Sequence, residues 1–391
     1  EIYTLSLHDA LPIFGRMKAP RFSLCAAALA AALLAACSSG SPRPEPAKLQ
    51  AIDPVIDVSQ AWAAKLGSTV NFPLQPQVLG NRVVLAADDG TVAGFDAANG
   101  QRLWSANAGD ALTAGVGSDG HTSAVVTRSN QVVALAEGRV LWKHKLGTQS
   151  YTAPLVAGGR VFVLGADRSL TALDGRTGAR LWHTNRQAEP LVLRQSGVLL
   201  AVGNTLVAGL SGRLAGVDPD TGASRWEVPL AAARGVNDVE KLVDLVGPVS
   251  RQGSVICARA FQAAVGCVDA ASGKLLWNKP AKGDAGVRGN EQSLFGAESD
   301  GQLVAWKAAT GERIWSTKEL LWRRLTAPLA LGRSVIVGDE EGWLHMLSRE
   351  DGSPVNRLKT DGSPIAAAPV AAGGALVAVT RSGGVFAFRP D

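Results

Sequence analysis

The stretch VFVLGADRSLTALDGRTGARLW, residues 161–182, decides the fold. Two short runs alternate Val, Leu and Ala with polar residues on either side of a turn, which is the pattern of paired β-strands. Asp174 stands four residues before Gly178, and Trp182 stands four residues after that glycine. Because glycine adopts a positive φ without steric cost, it suits a tight turn at this point. The stretch therefore predicts two strands followed by a glycine turn and a tryptophan.

The same pattern recurs along the chain. Full or shortened copies end at Trp104, Trp142, Trp226, Trp277 and Trp315, and a degenerate copy ends at Asn356. The turn glycine is present in all seven copies, as Gly100, Gly138, Gly178, Gly222, Gly273, Gly311 and Gly352. Successive copies are 38 to 51 residues apart. A period near 40 residues with about four short strands per repeat is typical of a β-propeller blade.

The two ends of the repeat region predict how the ring closes. ALVAVTRSGGVFAFRPD, residues 375–391, is an eighth copy that stops before its own glycine and tryptophan. Val58–Gly67 supplies an unmatched tryptophan, Trp62. We expect this N-terminal strand to complete the last blade, because closure removes an exposed sheet edge that would invite aggregation. The fold class is thus all-β, an eight-bladed β-propeller over residues 56–391 closed by an N-terminal strand.

Six tryptophans keep one offset from the turn glycine, and Trp62 is expected at the same position of the last blade, which predicts a structural role for all seven. We expect each ring to pack against the neighbouring blade and to bury a large apolar area. These residues are Trp62, Trp104, Trp142, Trp182, Trp226, Trp277 and Trp315. The alternative is a surface that stacks sugars or bases. The short second copy and Asn356, which replaces a tryptophan, are the predicted weaker joints.

The N-terminal residues read as a processed targeting segment. Residues 1–16 resemble translated sequencing-adaptor read-through, so we expect the native chain to begin at Met17. Lys18 and Arg21 precede an apolar run over Leu24–Leu34. That run is too short to span a bilayer but fits the apolar region of a signal peptide. Residues 17–36 are therefore predicted to be a lipoprotein signal peptide.

Cys37 is the predicted lipid anchor. It follows Leu34, Ala35 and Ala36 in an order that resembles the bacterial lipobox. Acyl chains on Cys37 would hold the protein on a membrane, and Ser38 in place of aspartate implies passage to the outer membrane of a Gram-negative cell. Residues 37–55 are rich in Pro and Ser and predict a flexible tether. The expected location is the periplasmic face of the outer membrane.

Composition and motifs argue against several function classes. The chain has 391 residues, a net charge of +5 and no long Lys/Arg block, so we expect no nucleic-acid partner. It lacks the H-E-x-x-H, C-x-x-C and G-x-S-x-G motifs. His121, His144, His183 and His345 fall at unrelated blade positions, which predicts surface or loop residues rather than metal ligands. We therefore expect no catalytic residue, no metal and no cofactor.

Cys257 and Cys267 lie in two strands of one repeat, on either side of a turn. An oxidising periplasm would allow a cross-strand disulfide between them. Pairing around a turn at Phe261 and Gln262 would leave them one residue out of register, so the disulfide would require a bulge. The alternative is two buried thiols.

Function is expected outside the packed blades, in long connections. Two connections are stretched: Gln187–Val202 and Ala231–Gly247. Segments that mix apolar and charged residues are typical of protein-contact surfaces. The alternative is that each loop packs on its own blade.

A lipidated tether followed by an eight-bladed Trp/Gly propeller resembles the BamB family, lipoprotein scaffolds of the machinery that assembles outer-membrane β-barrels. The resemblance covers about residues 37–391, and the segments TALDGRTGARLW, LLWRRLTAPLA and VIVGDEEGWLHML are similar to family segments. It implies binding to the periplasmic POTRA domains of BamA, membership with the other barrel-assembly subunits, and contact with nascent outer-membrane proteins.

The resemblance also implies which residues make the contact. Leu191 and Leu193 would be apolar anchors, Arg194 a polar one, and Asp244 the acidic residue of the second segment. Val246 stands where the family often has a second acidic residue.

Two other functions are alternatives to the scaffold: a quinoprotein-like dehydrogenase and a polysaccharide-binding propeller. The Trp/Gly repeat also resembles propellers related to quinoprotein dehydrogenases, which bind pyrroloquinoline quinone and calcium, but the adjacent cysteines of those enzymes are absent. A polysaccharide-binding propeller would need exposed rings among Trp306, Trp322 and Trp343, the tryptophans outside the repeat series.

Overall fold

A computed structural model describes residues 44–185, 191–232 and 242–391. Within these ranges the secondary structure consists of strands, and the strands form eight separate four-stranded antiparallel sheets. Seven sheets each use four consecutive strands, and the eighth joins the first strand of the chain to the last three. The predicted all-β, eight-bladed propeller with an N-terminal closing strand is confirmed.

The strands of the first half of the ring follow in chain order. The closing strand is β1 (Val58–Lys65), and blade 1 has β2 (Gln77–Leu79), β3 (Arg82–Ala86), β4 (Thr91–Asp96) and β5 (Arg102–Asn107). Blade 2 has β6 (Gly117–Ser118), β7 (Ser123–Val126), β8 (Gln131–Ala136) and β9 (Arg139–Lys145). Blade 3 has β10 (Leu155–Ala157), β11 (Arg160–Leu164), β12 (Leu170–Asp174) and β13 (Arg180–Thr184). Blade 4 has β14 (Leu199–Val202), β15 (Thr205–Leu210), β16 (Arg213–Val217) and β17 (Ser224–Pro229).

The second half repeats this plan. Blade 5 has β18 (Leu245–Gln252), β19 (Val255–Ala260), β20 (Ala264–Asp269) and β21 (Lys274–Pro280). Blade 6 has β22 (Val287–Gly289), β23 (Ser293–Ala297), β24 (Leu303–Lys307) and β25 (Arg313–Thr317). Blade 7 has β26 (Leu329–Leu331), β27 (Ser334–Gly338), β28 (Trp343–Ser348) and β29 (Pro354–Lys359). Blade 8 has β30 (Val370–Ala372), β31 (Ala375–Val379) and β32 (Gly384–Pro390), with β1 as its outermost strand.

The hydrophobic core is divided among the blade interfaces. Eight clusters of buried apolar residues each draw on two adjacent blades, so every interface has its own core. The cluster between blades 8 and 1 includes Trp62, and the cluster between blades 7 and 8 includes Ile56 and Val58. The closing segment therefore contributes apolar surface to two interfaces.

Each outermost strand carries a β-bulge directly before the tryptophan position. In blade 3, for example, Ala172 pairs with Trp182 and Leu173 pairs with Arg180, so Leu181 is left unpaired. The same irregularity occurs in all eight sheets. A bulge bends the strand and re-aims the next side chain. It also interrupts the outer edge of each blade, which discourages pairing with another chain.

Six of the seven predicted structural tryptophans dock on the next blade. Trp182 Nε1, for example, donates to the Pro219 carbonyl at 2.9 Å, and its ring lies against Gly222, whose φ is +76°. A side chain on that glycine would meet the ring, so glycine is required there for close approach as well as for the turn. The other five donors are Trp62, Trp142, Trp226, Trp277 and Trp315.

Trp104 is the exception among the seven. Its ring packs in the cluster between blades 1 and 2, but the structure has no hydrogen bond from its Nε1 to any described residue. The turn of blade 2 is shorter, and Gly138 lies near the Ser105 carbonyl instead of the Trp104 ring. The Trp104 ring therefore lacks the glycine contact that the other docking rings make, whereas Trp142, which ends the short copy, docks against Gly178.

The propeller has two faces that carry different turns. Because successive strands are antiparallel, the turn between the second and third strands of a blade lies on the same face as the connection to the next blade. Hydrogen bonds join these two kinds of loop, as between Asp88 N and the Thr69 carbonyl at 2.8 Å. We call this the connection face. The Asp–Gly turns lie on the opposite face, the glycine-turn face.

The segment predicted as a tether docks on the outer edge of blade 7. Ala47 N donates to the Leu321 carbonyl at 2.9 Å, and Leu49 packs on the cluster between blades 6 and 7. Val55 N donates to the Val355 carbonyl at 3.0 Å. The prediction of a flexible tether through residue 55 therefore does not hold for residues 47–55, because apolar contact and backbone pairing fix them. Residues 1–36 and Cys37 lie outside the described residues.

Cys257 and Cys267 are directly opposite each other in β19 and β20. Their Cα atoms are 4.0 Å apart, and the structure joins the two sulfur atoms in a disulfide. The expected bulge between them is wrong, because the turn holds three residues and Gln262 adopts a φ of 48°. This odd loop length brings the two cysteines into register.

Candidate partner-binding surface

The two long connections both lie on the connection face. The first joins β13 to β14 and carries Leu191, Leu193 and Arg194, while the second joins β17 to β18 and carries Asp244. Residues 186–190 and 233–241, which include Lys241, lie outside the described residues. The described parts are enough to show that the structure brings all four predicted contact residues to one region.

The first segment presents the side chains expected of a docking surface. Leu191 is 41% exposed, Arg194 is exposed, and Leu193 is half-buried. The guanidinium of Arg194 lies 5.5 Å from the centre of the Tyr151 ring, which holds it by a cation–π contact. An apolar side chain beside an oriented arginine is a combination common at the centres of protein interfaces.

Asp244 lies beneath this segment and not on the surface. Its side chain is 14% exposed, and its Oδ1 accepts a hydrogen bond of 2.9 Å from Arg168 Nη2. Its Oδ2 accepts a bond of 3.2 Å from the backbone N of Leu193. Arg168 also donates to the Leu191 carbonyl at 3.2 Å. Asp244 therefore ties the two connections together.

This placement changes the role that the resemblance implied for Asp244. A carboxylate that is held by a buried guanidinium and by a backbone N–H has little capacity left for a partner. The structure therefore assigns it the position of a residue that orients Leu191 and Leu193. Val246, which stands where a second acidic residue was considered, is 2% exposed and belongs to blade 5.

Arg168 is the residue of this region that sequence reasoning did not identify. It lies in the turn between β11 and β12 with a φ of 62° and is 6% exposed. The equivalent turn position is a glycine in blades 1, 6, 7 and 8, namely Gly90, Gly301, Gly342 and Gly383. A residue with a side chain costs about 1–2 kcal/mol in this left-handed region. The presence of an arginine where other copies of the repeat have glycine is therefore the feature of the sequence that could have identified Arg168.

A second buried charged cluster holds the docked N-terminal segment. Arg323 Nε donates to Asp339 Oδ2 at 2.8 Å, and Arg323 Nη1 donates to the Ala47 carbonyl at 2.9 Å. His345 Nε2 lies 2.9 Å from the same Asp339 oxygen. The prediction of a surface or loop position is wrong for His345, which is 3% exposed in β28.

Burial sets the protonation of this histidine. Removal from water lowers the pKa of His345 below its ordinary value, although Asp339 acts in the opposite direction. Arg357 Nε donates to His345 Nδ1 at 3.4 Å, which agrees with a neutral ring that carries its proton on Nε2. The cluster is therefore a structural clasp between blade 7 and residues 47–50.

The three tryptophans outside the repeat series do not form an aromatic platform. Trp306 is 4% exposed and packs between blades 5 and 6. Trp343 is half-buried, with Arg357 and Lys359 placed over its ring. Trp322 is 41% exposed in the connection between blades 6 and 7. A single exposed ring gives no row of stacking surfaces for a polysaccharide.

The described residues carry neither a metal site nor a membrane-spanning helix. No group of three His, Cys, Asp or Glu side chains in residues 44–185, 191–232 and 242–391 is arranged to hold a metal ion. Over the same ranges there is no helix with the length and apolar character that a membrane span requires.

Comparisons with known proteins agree with one another. The sequence model of the family described as "Outer membrane protein assembly factor BamB" matches residues 47–111 and 88–317. The BamB of Burkholderia pseudomallei is 39% identical, with 94% of this chain and 97% of that protein aligned. The BamB of Bordetella pertussis is 32% identical over 90% of this chain and 92% of that protein. The crystal structure of BamB from Moraxella catarrhalis superposes with a TM-score of 0.77 at 25% identity, covering 85% of this chain and all of that one.

Proposed function

The chain belongs to the family of the outer membrane protein assembly factor BamB, and from this membership we propose that it is a non-enzymatic scaffold of the β-barrel assembly machinery. It associates with the outer membrane and works with the other barrel-assembly subunits. The partner of the surface around Leu191 is the POTRA region of BamA, and the assembly aids folding and insertion of nascent outer-membrane proteins.

The observation that carries the proposal is the way Asp244 holds the Leu191–Arg194 segment. Arg168 and Asp244 are nearly buried. Arg168 donates a hydrogen bond to the Leu191 carbonyl, and Asp244 accepts one from the backbone N of Leu193. A loop fixed in this way loses little conformational entropy when a partner binds. Leu191 is exposed, and its backbone is fixed by buried Arg168 and Asp244. This arrangement suits contact with another protein better than packing on the leucine's own blade.

The membrane anchor is proposed to be Cys37. Ten residues separate Cys37 from Ala47, where the chain docks beside Leu321 on the connection face. An extended chain of that length spans at most about 35 Å. A lipid on Cys37 would therefore be joined to the docked segment by a short length of chain.

In-cell photo-crosslinking tests the partner surface. A photoreactive amino acid at position 191 or 194 should trap BamA through its POTRA domains when the protein is at its native level. Leu141 is the matched control, because it is 47% exposed but lies in the bulge on the outer edge of blade 2. Equal trapping from positions 141 and 191, or trapping from neither, would contradict the proposed surface.

The lipid anchor has its own test. Cys37→Ala should leave the protein in the soluble fraction after cell disruption, whereas the unaltered chain should stay with outer membranes. The double variant Cys257→Ser/Cys267→Ser controls for loss of thiols elsewhere and should remain membrane-bound. Membrane association of Cys37→Ala would show that another element holds the protein.

A further inference from the structure

The mouth of the central channel on the connection face opens into a cavity of about 790 Å³. The innermost strands of blades 1, 6, 7 and 8 contribute to its walls, through Val78, Arg288, Leu329 and Val370. This volume lies in the range of pockets that hold small molecules or short peptide segments. The cavity is separate from the exposed Leu191 side chain.

The charges that line the cavity are unbalanced. Four arginines, Arg194, Arg288, Arg324 and Arg381, face it together with one acidic residue, Asp284. Arg194 is engaged by Tyr151, and Arg324 Nε lies 3.5 Å from Glu340, which is not part of the lining. The cavity therefore concentrates positive charge on a protein whose net charge is only +5.

Two of these arginines have side chains without a partner. Neither the Arg288 nor the Arg381 guanidinium makes a hydrogen bond or an ion pair with any residue that the structure describes. Both side chains are accessible to water from the cavity. A charge in such surroundings is stabilised when an anion enters.

The walls around these charges suit a peptide better than an isolated ion. Phe72, Leu325, Leu329, Ile365 and Val370 supply apolar surface. Each innermost strand pairs with one neighbour in its sheet, so its other edge turns backbone N–H and C=O groups toward the channel. Unpaired strand edges bind extended peptides through main-chain hydrogen bonds. Inorganic phosphate would use the arginines but neither the apolar walls nor the strand edges.

We propose that this cavity binds the carboxylate of an extended apolar peptide segment, with Arg288 and Arg381 as the residues that receive the carboxylate. The site shares Arg194 with the surface around Leu191 but is assigned to Arg288 and Arg381, so substitution of these two residues tests it without changing that surface. It gives the scaffold a second place of contact, for the carboxylate end of a chain whose last residues are apolar.

Fluorescence anisotropy on the purified full chain tests the proposal. The probe is an N-terminally labelled pentapeptide of alternating valine and alanine with a free C-terminal carboxylate. We expect it to bind, and the same peptide with an amidated C-terminus to bind at least about tenfold more weakly, because a charge-assisted hydrogen bond contributes that much. Equal binding of the two peptides, or binding of inorganic phosphate without binding of the peptide, would overturn the proposal.

Charge-matched variants locate the site. Arg288→Gln and Arg381→Gln should each weaken the carboxylate peptide about tenfold while leaving the amidated peptide unchanged. Arg333→Gln removes the same charge from a side chain that is 86% exposed on the glycine-turn face, and it should bind as the unaltered protein does. Circular dichroism and tryptophan fluorescence confirm folding of each variant. Unchanged affinity in both folded cavity variants would refute the assignment.

Discussion

The side-chain amide of Asn356 donates a hydrogen bond of 2.7 Å to the carbonyl oxygen of Ile56, which is 300 residues away in the sequence. Asn356 occupies the position that tryptophan holds in the other docking blades, opposite Met346 in the bulged strand pair. Ile56 lies two residues before the closing strand. At the joint between blades 7 and 8, the polar contact of Asn356 thus replaces the tryptophan that docks at six other blade joints.

Replacing Asn356 should weaken ring closure. Asn356→Ala leaves the Ile56 carbonyl without its donor, and we expect the free energy of unfolding to fall by about 1–2 kcal/mol. Asn356→Asp keeps the shape but removes the donor, and it should be at least as destabilising. Urea denaturation followed by tryptophan fluorescence measures both. Stability equal to that of the unaltered chain in both variants would show that the apolar contacts of Ile56 and Val58 close the ring alone.

The docking hydrogen bonds predict different costs at two half-buried tryptophans. Trp182→Phe loses the bond to the Pro219 carbonyl, and we expect a loss of about 1 kcal/mol beyond the change in packing. Trp104→Phe has no such bond to lose among the described residues and should cost less. Paired denaturation curves give the difference. A larger loss at Trp104 would contradict the docking mechanism.

The proposed disulfide predicts both a chemical and a thermodynamic result. Unfolded but unreduced protein should show no alkylation at Cys257 or Cys267, whereas reduced protein should show both. Reducing the bond or replacing both cysteines by serine should lower stability by about 2–3 kcal/mol, the expected contribution for a closed loop of this size. Alkylation of both residues without reductant would leave two buried thiols as the correct description.

Arg168 and Asp244 are expected to act on partner binding through the loop and not by direct contact. Arg168→Gln and Asp244→Asn should each weaken trapping of BamA from position 194. The double variant should be no weaker than either single variant, because both remove the same support. Leu191→Ala provides the comparison, since it removes a surface contact and its effect should add to theirs. Additive losses for Arg168 and Asp244 would contradict a shared positioning role.

His345 should make stability depend on pH. Its pKa is lower in the folded protein than in the unfolded chain because the ring is buried, so the unfolded chain binds the proton more readily. The contribution of the neutral His345 ring to the free energy of unfolding is therefore fully present above the ordinary histidine pKa of about 6.5. It is lost as the pH falls below that value. His345→Gln should flatten the change in urea midpoint between about pH 7 and pH 5.

A histidine outside the clasp provides the comparison. His121 is exposed, and His121→Gln should leave the pH profile unchanged. A profile that is equally steep without His345 would assign the effect to other groups.

The repeat explains why the architecture could be predicted and the site could not. Tryptophan, glycine and strand periodicity are local signals, and each copy reinforces the others, so eight blades and the closing strand follow from residues 58–391 alone. The surface residues Leu191, Leu193 and Arg194 came from family resemblance, because nothing local distinguishes an exposed leucine that binds a partner from one that does not. Leu181 is 48% exposed and Leu191 is 41% exposed, yet only the second lies on a supported connection.

The sequence by itself determined the blade count, the docking tryptophans and the place where the ring closes, because these depend on contacts within a repeat or between consecutive repeats. Only the tertiary structure decided that Asp244 is held by Arg168, that residues 47–55 dock on blade 7, and that Arg288 and Arg381 meet in one cavity. These relationships join residues from different blades and depend on where ring closure brings them. Pairing, burial and charge balance among such residues arise from three-dimensional proximity, which a one-dimensional pattern does not encode.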